Sequence, residues 1–479
     1  MYINASFRQW QARSYLSHYR TASEVPGLGA VEGQQSSMGD YEDEESNDWL
    51  TRENRHVFIL SSAGKPIFSL HGDEQKLSSF IGLVQAIVSF SEDAGDAVRT
   101  VKAGPYSFVF LMRNSIYLLS TSRSHHAVSH MMLELEYLHS QILFILTSKG
   151  LDVLKRNPNY DLRSLLGGTE NVMAGLCRTA TSDATMLLEA VQQLRIPAAS
   201  RAAAAQILRA TGLPDMLYGM LVAGSRLVTL VQPKNKAHAC PPRDLLLLIN
   251  FVNNLPSLRT SESWTPLCLP TFNASGFLYA YIVFVAPEVC MLLVTPKQTP
   301  EQFHLCQRAK ASIVDKLGSS GTLAAIETAL KKAGEGLPGG DIPELVHYLY
   351  KADGAATHQC LSPGFPPQYA EAGRRALLLQ RYQRAHTLLH TRVGARAGAG
   401  GGGGAAAAAA ASTPRHKTVY ELDSEALVVA QVGSDYELYA VFGPLVDSAV
   451  AAACCARLVR AIKKDDDALF LLQPGVWPA

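Results

Sequence analysis

The sequence lacks three short motifs that mark nucleotide-binding and catalytic sites. There is no G-x-x-x-x-G-K-[ST]: Gly64-Lys65 runs straight into Pro66 and has no upstream glycine, so it cannot cradle phosphates. Neither G-x-S-x-G nor H-E-x-x-H occurs. His126 and His130 stand four apart on a helical stretch, but no third ligand accompanies them, so no metal or other cofactor is expected. The eight cysteines, at 177, 240, 268, 290, 306, 360, 454 and 455, form no C-x-x-C pair and several lie in apolar runs. They read as reduced, mostly buried thiols of a cytosolic protein. Charge of one sign is not in excess: 43 Lys and Arg against 42 Asp and Glu leave a formal net charge of +1, so no global field selects nucleic acid or an acidic ligand. Aromatics make up 8% of residues and interleave no basic stripe of the kind that stacks bases. The longest apolar run, Gly276–Val294, is split by Pro287-Glu288 into two strand-length pieces and reads as a hairpin. The start, Met1-Tyr2-Ile3-Asn4, has no apolar signal core and no glycine for myristoylation. Asp465–Asp467 after Lys463-Lys464 reads as a solvated helix exit.

What is present begins at His56. Two β-like runs, Val57–Leu60 and Ile67–Leu70, flank a turn on Gly64-Lys65-Pro66. Beyond Gly72, Leu77, Phe80, Ile81, Val84, Ile87 and Val88 form one apolar stripe at helical spacing. No charged residue occurs between Lys76 and Glu92, and Ser79, Gly82, Ala86 and Ser89 gather on the side opposite the stripe. A solvated helix face normally carries Lys or Glu. A small uncharged face is read in two ways: a second element of the same domain covers it, or it docks a partner protein.

The segment 1–51 is polar, with an acidic stretch at 33–46, and is expected to be disordered. Block one, 52–211, shows strands at 97–102, 106–112 and 115–121, then helices at 124–147, 183–194 and 199–210. Block two, 212–317, has a hairpin about Gly224-Ser225, a helix after Pro241-Pro242, strands at 264–269, 276–285 and 288–295, and a helix at 300–317. A Gly-rich linker at 318–341 encloses a short helical piece. Block three, 342–479, has strands at 345–351, 417–421, 426–432 and 436–442, helices at 374–390 and 446–463, and a further short strand at 469–472. Its Gly/Ala tract at 394–412 is a loop insertion, which is thermodynamically cheap to lengthen. Strand-strand-helix-strand-strand-strand-helix thus recurs. The fold class is α+β, with three longin-like domains, each a mainly antiparallel five-stranded sheet flanked by helices.

Three separated segments carry a resemblance. Phe58–Ser69 with Gly72–Ser78 and Gln85–Ser89, Leu248–Val252 with Trp264–Pro270, and Tyr436–Tyr439 with Gly443–Leu445 and Ile462–Phe470 closely resemble the vacuolar fusion protein Mon-one family, also called SAND. The likeness covers about 52–474 and departs in the short N-terminal arm and the Gly/Ala insertion. It implies a subunit of a heterodimeric guanine-nucleotide exchange factor for the late-endosomal or vacuolar Rab GTPase, without covalent chemistry of its own. The alternative is a non-catalytic longin-type adaptor that binds SNAREs or coat proteins. The resemblance implies that the first longin domain pairs with a Ccz-one-type longin partner subunit to hold the GTPase. The expected GTPase or partner interface is Ser61, Ser62, Gly64, Lys65, Lys76, Ser79, Gly82, Gln85, Ala86 and Ser89. Two basic clusters, Arg374, Arg375, Arg381, Arg384 and Arg457, Arg460, Lys463, Lys464, are expected to meet a phosphoinositide-containing membrane surface. The implied place is cytoplasmic, with peripheral recruitment to late endosome and vacuole. Should the opening helix be sealed beneath its own fold, this assignment fails.

Overall fold

A computed structural model describes residues 54–71, 78–93, 95–113, 115–123, 126–157, 160–353, 357–390 and 417–477. The expected acidic arm and the Gly/Ala insertion lie outside them. The chain divides into two compact units, 1–112 with 116–124, and 113–115 with 125–479.

In the first unit, β1 (Arg55–Ser61), β2 (Pro66–Ser69), α1 (Ser78–Asp93), β3 (Thr100–Ala103), β4 (Tyr106–Arg113) and β5 (Ile116–Ser122) follow in order. The strands form one sheet in the order β2-β1-β5-β4-β3. Alternation along the strands sends Phe58, Leu60, Phe108, Phe110 and Leu119 to one face. There they bury Ile81, Val84 and Val88 of α1. Each of these helix side chains stabilises the contact by roughly 1.5–3 kcal/mol.

The second unit opens with α2 (Val128–Arg156) and α3 (Glu170–Ser182). Thr147 interrupts α2 with φ 64. The interruption breaks the helical bond between Ser148 N–H and Phe144 carbonyl, and both groups find partners elsewhere. Cys268 N donates to Phe144 O at 2.8 Å, and Ser148 N donates to Ala274 O at 2.8 Å. These two backbone groups therefore stay hydrogen-bonded at the bend.

Then come β6 (Val191–Gln192), α4 (Ala198–Arg209), β7 (Tyr218–Ala223), β8 (Arg226–Gln232), α5 (Pro242–Asn254), β9 (Ser263–Leu267), β10 (Leu278–Ala286), β11 (Val289–Thr295), α6 (Pro300–Ser319) and α7 (Thr322–Lys331). The chain continues through β12 (Leu345–Ala352), β13 (Gln359–Leu361), α8 (Ala372–His390), β14 (Thr418–Leu422), β15 (Leu427–Val432), β16 (Tyr436–Phe442), α9 (Ser448–Lys464) and β17 (Gly475–Val476). The two sheets are β17-β8-β7-β11-β10-β9 and β14-β15-β16-β12-β13-β6. Without the terminal additions, both have the strand order of the first sheet, so the repeat read from the sequence is real.

The additions correct that reading. Each of these sheets has six strands, because each borrows one. β6, which precedes the second sheet in sequence, pairs parallel with β13 of the third, Gln359 opposite Val191. β17, which follows the third sheet, pairs parallel with β8 of the second, Gly475 opposite Val231. The helix expected over 183–194 is instead a turn at Thr185–Leu188, stopped by Glu189 in the left-handed region (φ 47), and then β6. The strand expected at 469–472 is the end of a helical turn, Asp466–Leu469, and an extended piece; the strand falls later, at β17. β13, unread in the sequence, completes the third repeat.

Arg201 of α4 clamps the crossing. Its Nη1 donates to Asp467 O at 3.0 Å and to Phe470 O; its Nη2 donates to Leu194 O at 2.8 Å and Ala468 O at 3.0 Å. Burial pulls its pKa down to about 10, and the nearby Asp467 acts the other way, so it stays charged. The side chain of Gln359 holds the next residue at both ends, accepting from Leu471 N at 2.7 Å and donating to Leu471 O at 2.9 Å. Replacing Arg201 by leucine takes this donor from the carbonyls of Leu194, Asp467 and Phe470, while Ala468 O keeps its bond from Ile196 N at 3.3 Å, and is expected to cost about 3 kcal/mol or more in urea unfolding. Arg195→Leu, which removes a half-exposed 2.9 Å ion pair to Asp465, is expected to cost no more than about 1 kcal/mol.

Candidate functional site

The turn of the first hairpin and the outer side of α1 lie together. Ser61 O accepts from Gly64 N at 2.9 Å, and Ser61 Oγ accepts from Lys65 N at 3.1 Å. Ser61 is buried. It therefore builds the turn, and its hydroxyl is turned inward; Ser62 is half-buried and Lys65 exposed. Gly64 takes φ 76, and a Cβ there would fall 2.0–2.5 Å from the amide of Gln85. The positive φ favours glycine, and the missing side chain lets the turn rest on Gln85 in the middle of α1.

Around α1, Gly82, Ala86 and Ser89 are exposed and Gln85 is half-buried under the turn. A Cβ on Gly82 would meet nothing within 4 Å. Among the described residues no other element covers the small uncharged face. Phe90, 57% exposed, borders this face. It is absent from the expected interface, and its signal in the sequence is an aromatic off the apolar stripe. Lys76 lies outside the described residues; Ser79 falls in the first turn of α1.

The basic clusters do not form one surface. α8 packs Leu378, Tyr382 and Ala385 on one face of the third sheet, against Val428, Ala430 and Tyr439. α9 packs Cys455, Leu458 and Ile462 on the other, against Val429, Leu438 and Ala440. The cations of α8 are also taken up at home. Arg381 is buried, with Nε 2.7 Å from Asp423 and Nη2 2.8 Å from Glu425. Arg384 lies 2.8 Å from Glu421, and Arg374 3.2 Å from Glu425. Arg375 lies over the Phe365 ring at 5.8 Å. Arg381 is thus a structural ion-pair residue, which corrects its assignment to a membrane surface. On α9, Arg457 pairs with Asp341 at 2.6 Å and Lys463 with Asp435 at 2.9 Å. Arg460 and Lys464 are exposed, with no carboxylate partner among the described residues.

A second polar cluster lies on the α8 face of the third sheet. Glu437 Oε2 accepts from the Tyr439 hydroxyl at 2.9 Å and lies 3.3 Å from His390 Nε2. Lys351 Nζ is 3.4 Å from Oε1. Burial would raise Glu437, but the His390 hydrogen bond and the Lys351 charge outweigh it and hold its pKa at about 2. Burial, then the neighbouring His390, pushes His386 down to about 3. At neutral pH the cluster therefore holds a carboxylate and an uncharged His386.

Known proteins show the same three-domain plan. The chain matches the first, second and third longin domains of FUZ, MON1 and HPS1 over residues 55–176, 214–315 and 344–466. It is 32% identical over 458 residues to vacuolar fusion protein MON1 homolog A of Bos taurus, covering 95% of this chain and 76% of that protein. The chain belongs to the MON1, or SAND, family. It is also 32% identical to Protein SAND of Takifugu rubripes, over 90% of this chain and 79% of that protein. With the MON1 homolog of Arabidopsis thaliana it shares 31% identity, over 91% and 72%. MON1 family members are thus named for vacuolar fusion. Among the described residues, no helix is long and apolar enough to cross a membrane.

The two glycines of this surface should respond with opposite signs in thermal melts. Gly64→Ala is expected to cost about 1–2 kcal/mol, because alanine resists the left-handed region. Gly82→Ala is expected to stabilise the isolated chain by about 0.5–1 kcal/mol, because glycine weakens an exposed helix.

Proposed function

We propose that the chain is one subunit of a heterodimeric guanine-nucleotide exchange factor for a late-endosomal or vacuolar Rab GTPase. The single observation that carries this reading is the open, uncharged outer face of α1 beside the hairpin turn, with Phe90 at its border. Small residues let another backbone come close, and an exposed aromatic supplies contact area at low entropic cost. A Ccz-one-type longin subunit docks there, and the composite surface holds the GTPase. Exchange makes and breaks no covalent bond. The complex binds the nucleotide-free GTPase more tightly than the loaded one, and a thousandfold acceleration needs about 4 kcal/mol of such differential binding. Displacing a switch loop and weakening magnesium contacts supplies it. Recruitment to a phosphoinositide-containing membrane is peripheral and falls to α9, where Arg460 and Lys464 have no carboxylate partner among the described residues and the exposed pairs of Arg457 and Lys463 open at little cost. Each cation near an anionic leaflet contributes about 1 kcal/mol.

The test is release of a fluorescent nucleotide from the Rab GTPase by the chain together with its longin partner. Release is expected to accelerate with the pair and not with either subunit alone. Gly82→Arg is expected to abolish assembly and release without lowering the melting temperature of the chain, since the site has room for the side chain and arginine favours a helix over glycine. Binding of the GTPase without release would favour the longin adaptor reading. Gly82→Arg without effect on either would remove α1 from the interface.

A further inference from the structure

We propose that His386, His390 and Glu437 form a transition-metal site that fits Zn²⁺. Each offers one ligand atom within 4.8 Å of the others, the one such group among the described residues. His386 and His390 stand one turn apart on α8, so both leave the same side of the helix, with ring centroids 4.3 Å apart. Glu437 comes up from β16, on the sheet beneath. Two imidazole nitrogens and one carboxylate oxygen are a donor set that suits zinc, with a fourth position left for water or another ligand. Tetrahedral zinc keeps its ligands about 3.5 Å apart, so the group closes with small side-chain movements. Two further features belong to a built site. The Tyr439 hydroxyl orients the carboxylate through Oε2 at 2.9 Å, as an outer-shell donor does. Both histidines are half-buried, which leaves an entry path.

Lys351 competes for the same place. Its Nζ lies 3.4 Å from Glu437 Oε1 and 3.7 Å from Asp353 Oδ1. It can turn to Asp353 when a metal takes Glu437, so no buried charge is left unpaired. The lysine thus sets the affinity of the site, and this gives the proposal a sign that a purely structural polar cluster does not share.

The experiment uses the full chain, stripped with a chelator and titrated with Zn²⁺ by calorimetry, with Mg²⁺ as the control and the bound metal counted by mass spectrometry. The expected result is one zinc per chain and no magnesium. Zinc should also raise the melting temperature of the unaltered chain, a readout that needs no variant. His390→Ala and Glu437→Gln should lose the zinc, and Tyr439→Phe should weaken it by about 10–100-fold. Lys351→Met should tighten it. Absence of stoichiometric zinc and of any zinc-dependent melting shift would overturn the site. Retention of zinc by His386→Ala combined with His390→Ala would place the ion elsewhere and overturn it equally.

Discussion

Two very short strands, exchanged between sheets, hold the larger unit together. β6 leaves the segment before the second sheet to join the third, and β17 leaves the end of the third to join the second. Each exchange is small, but the buried guanidinium of Arg201 fixes the chain between them through carbonyls at 194, 467, 468 and 470. Charge-assisted hydrogen bonds from a buried guanidinium are costly to break. The exchanged strands also cover the β13 and β8 edges, which would otherwise offer unpaired backbone to other chains. Longin sheets two and three therefore behave as one body, locked by its own ends.

Among the described residues the first sheet has no borrowed strand, and its distinguishing surface is the outer face of α1. Two physical terms meet there. Gly64 brings the hairpin turn down onto Gln85, which ties the turn and the helix into one surface. Gly82, Ala86 and Ser89 leave that surface small and uncharged although it is exposed. A glycine in an exposed helix weakens the helix in isolation, so Gly82 adds nothing to the stability of α1 itself. The contrast with α8 is instructive. That helix carries more formal charge, yet Glu421, Asp423 and Glu425 neutralise most of it, so it has less to offer an anionic surface than its sequence suggests.

The sequence made the repeat legible wherever period and turn chemistry were strong: the hairpin at Gly64, the hairpin at Gly224, the amphipathic α5, and the pair β15 and β16. It left β6, β13 and β17 unread because strands of two or three residues carry no alternation; only pairing across the chain defines them. The helix expected over 183–194 failed for the same reason, since tertiary pairing overrode local propensity. Arg381 looked like a surface cation because its partners lie about forty residues on, across a turn of the sheet. The His386, His390 and Glu437 group escaped for the same kind of reason. Two histidines at helical spacing are visible in the sequence, but the carboxylate is 47 residues away. Phe90 lies off the apolar stripe, so hydrophobic period alone does not single it out.

The central claim is that the exposed face of α1 is where this MON1 family chain meets another protein. A photoreactive phenylalanine analogue at Phe90 tests it most directly, since the native residue is already an exposed aromatic. On irradiation with the longin partner and the GTPase, the account predicts a covalent adduct from Phe90 to one of these two proteins. An efficient adduct within its own chain, or none in a mixture that assembles, would contradict it.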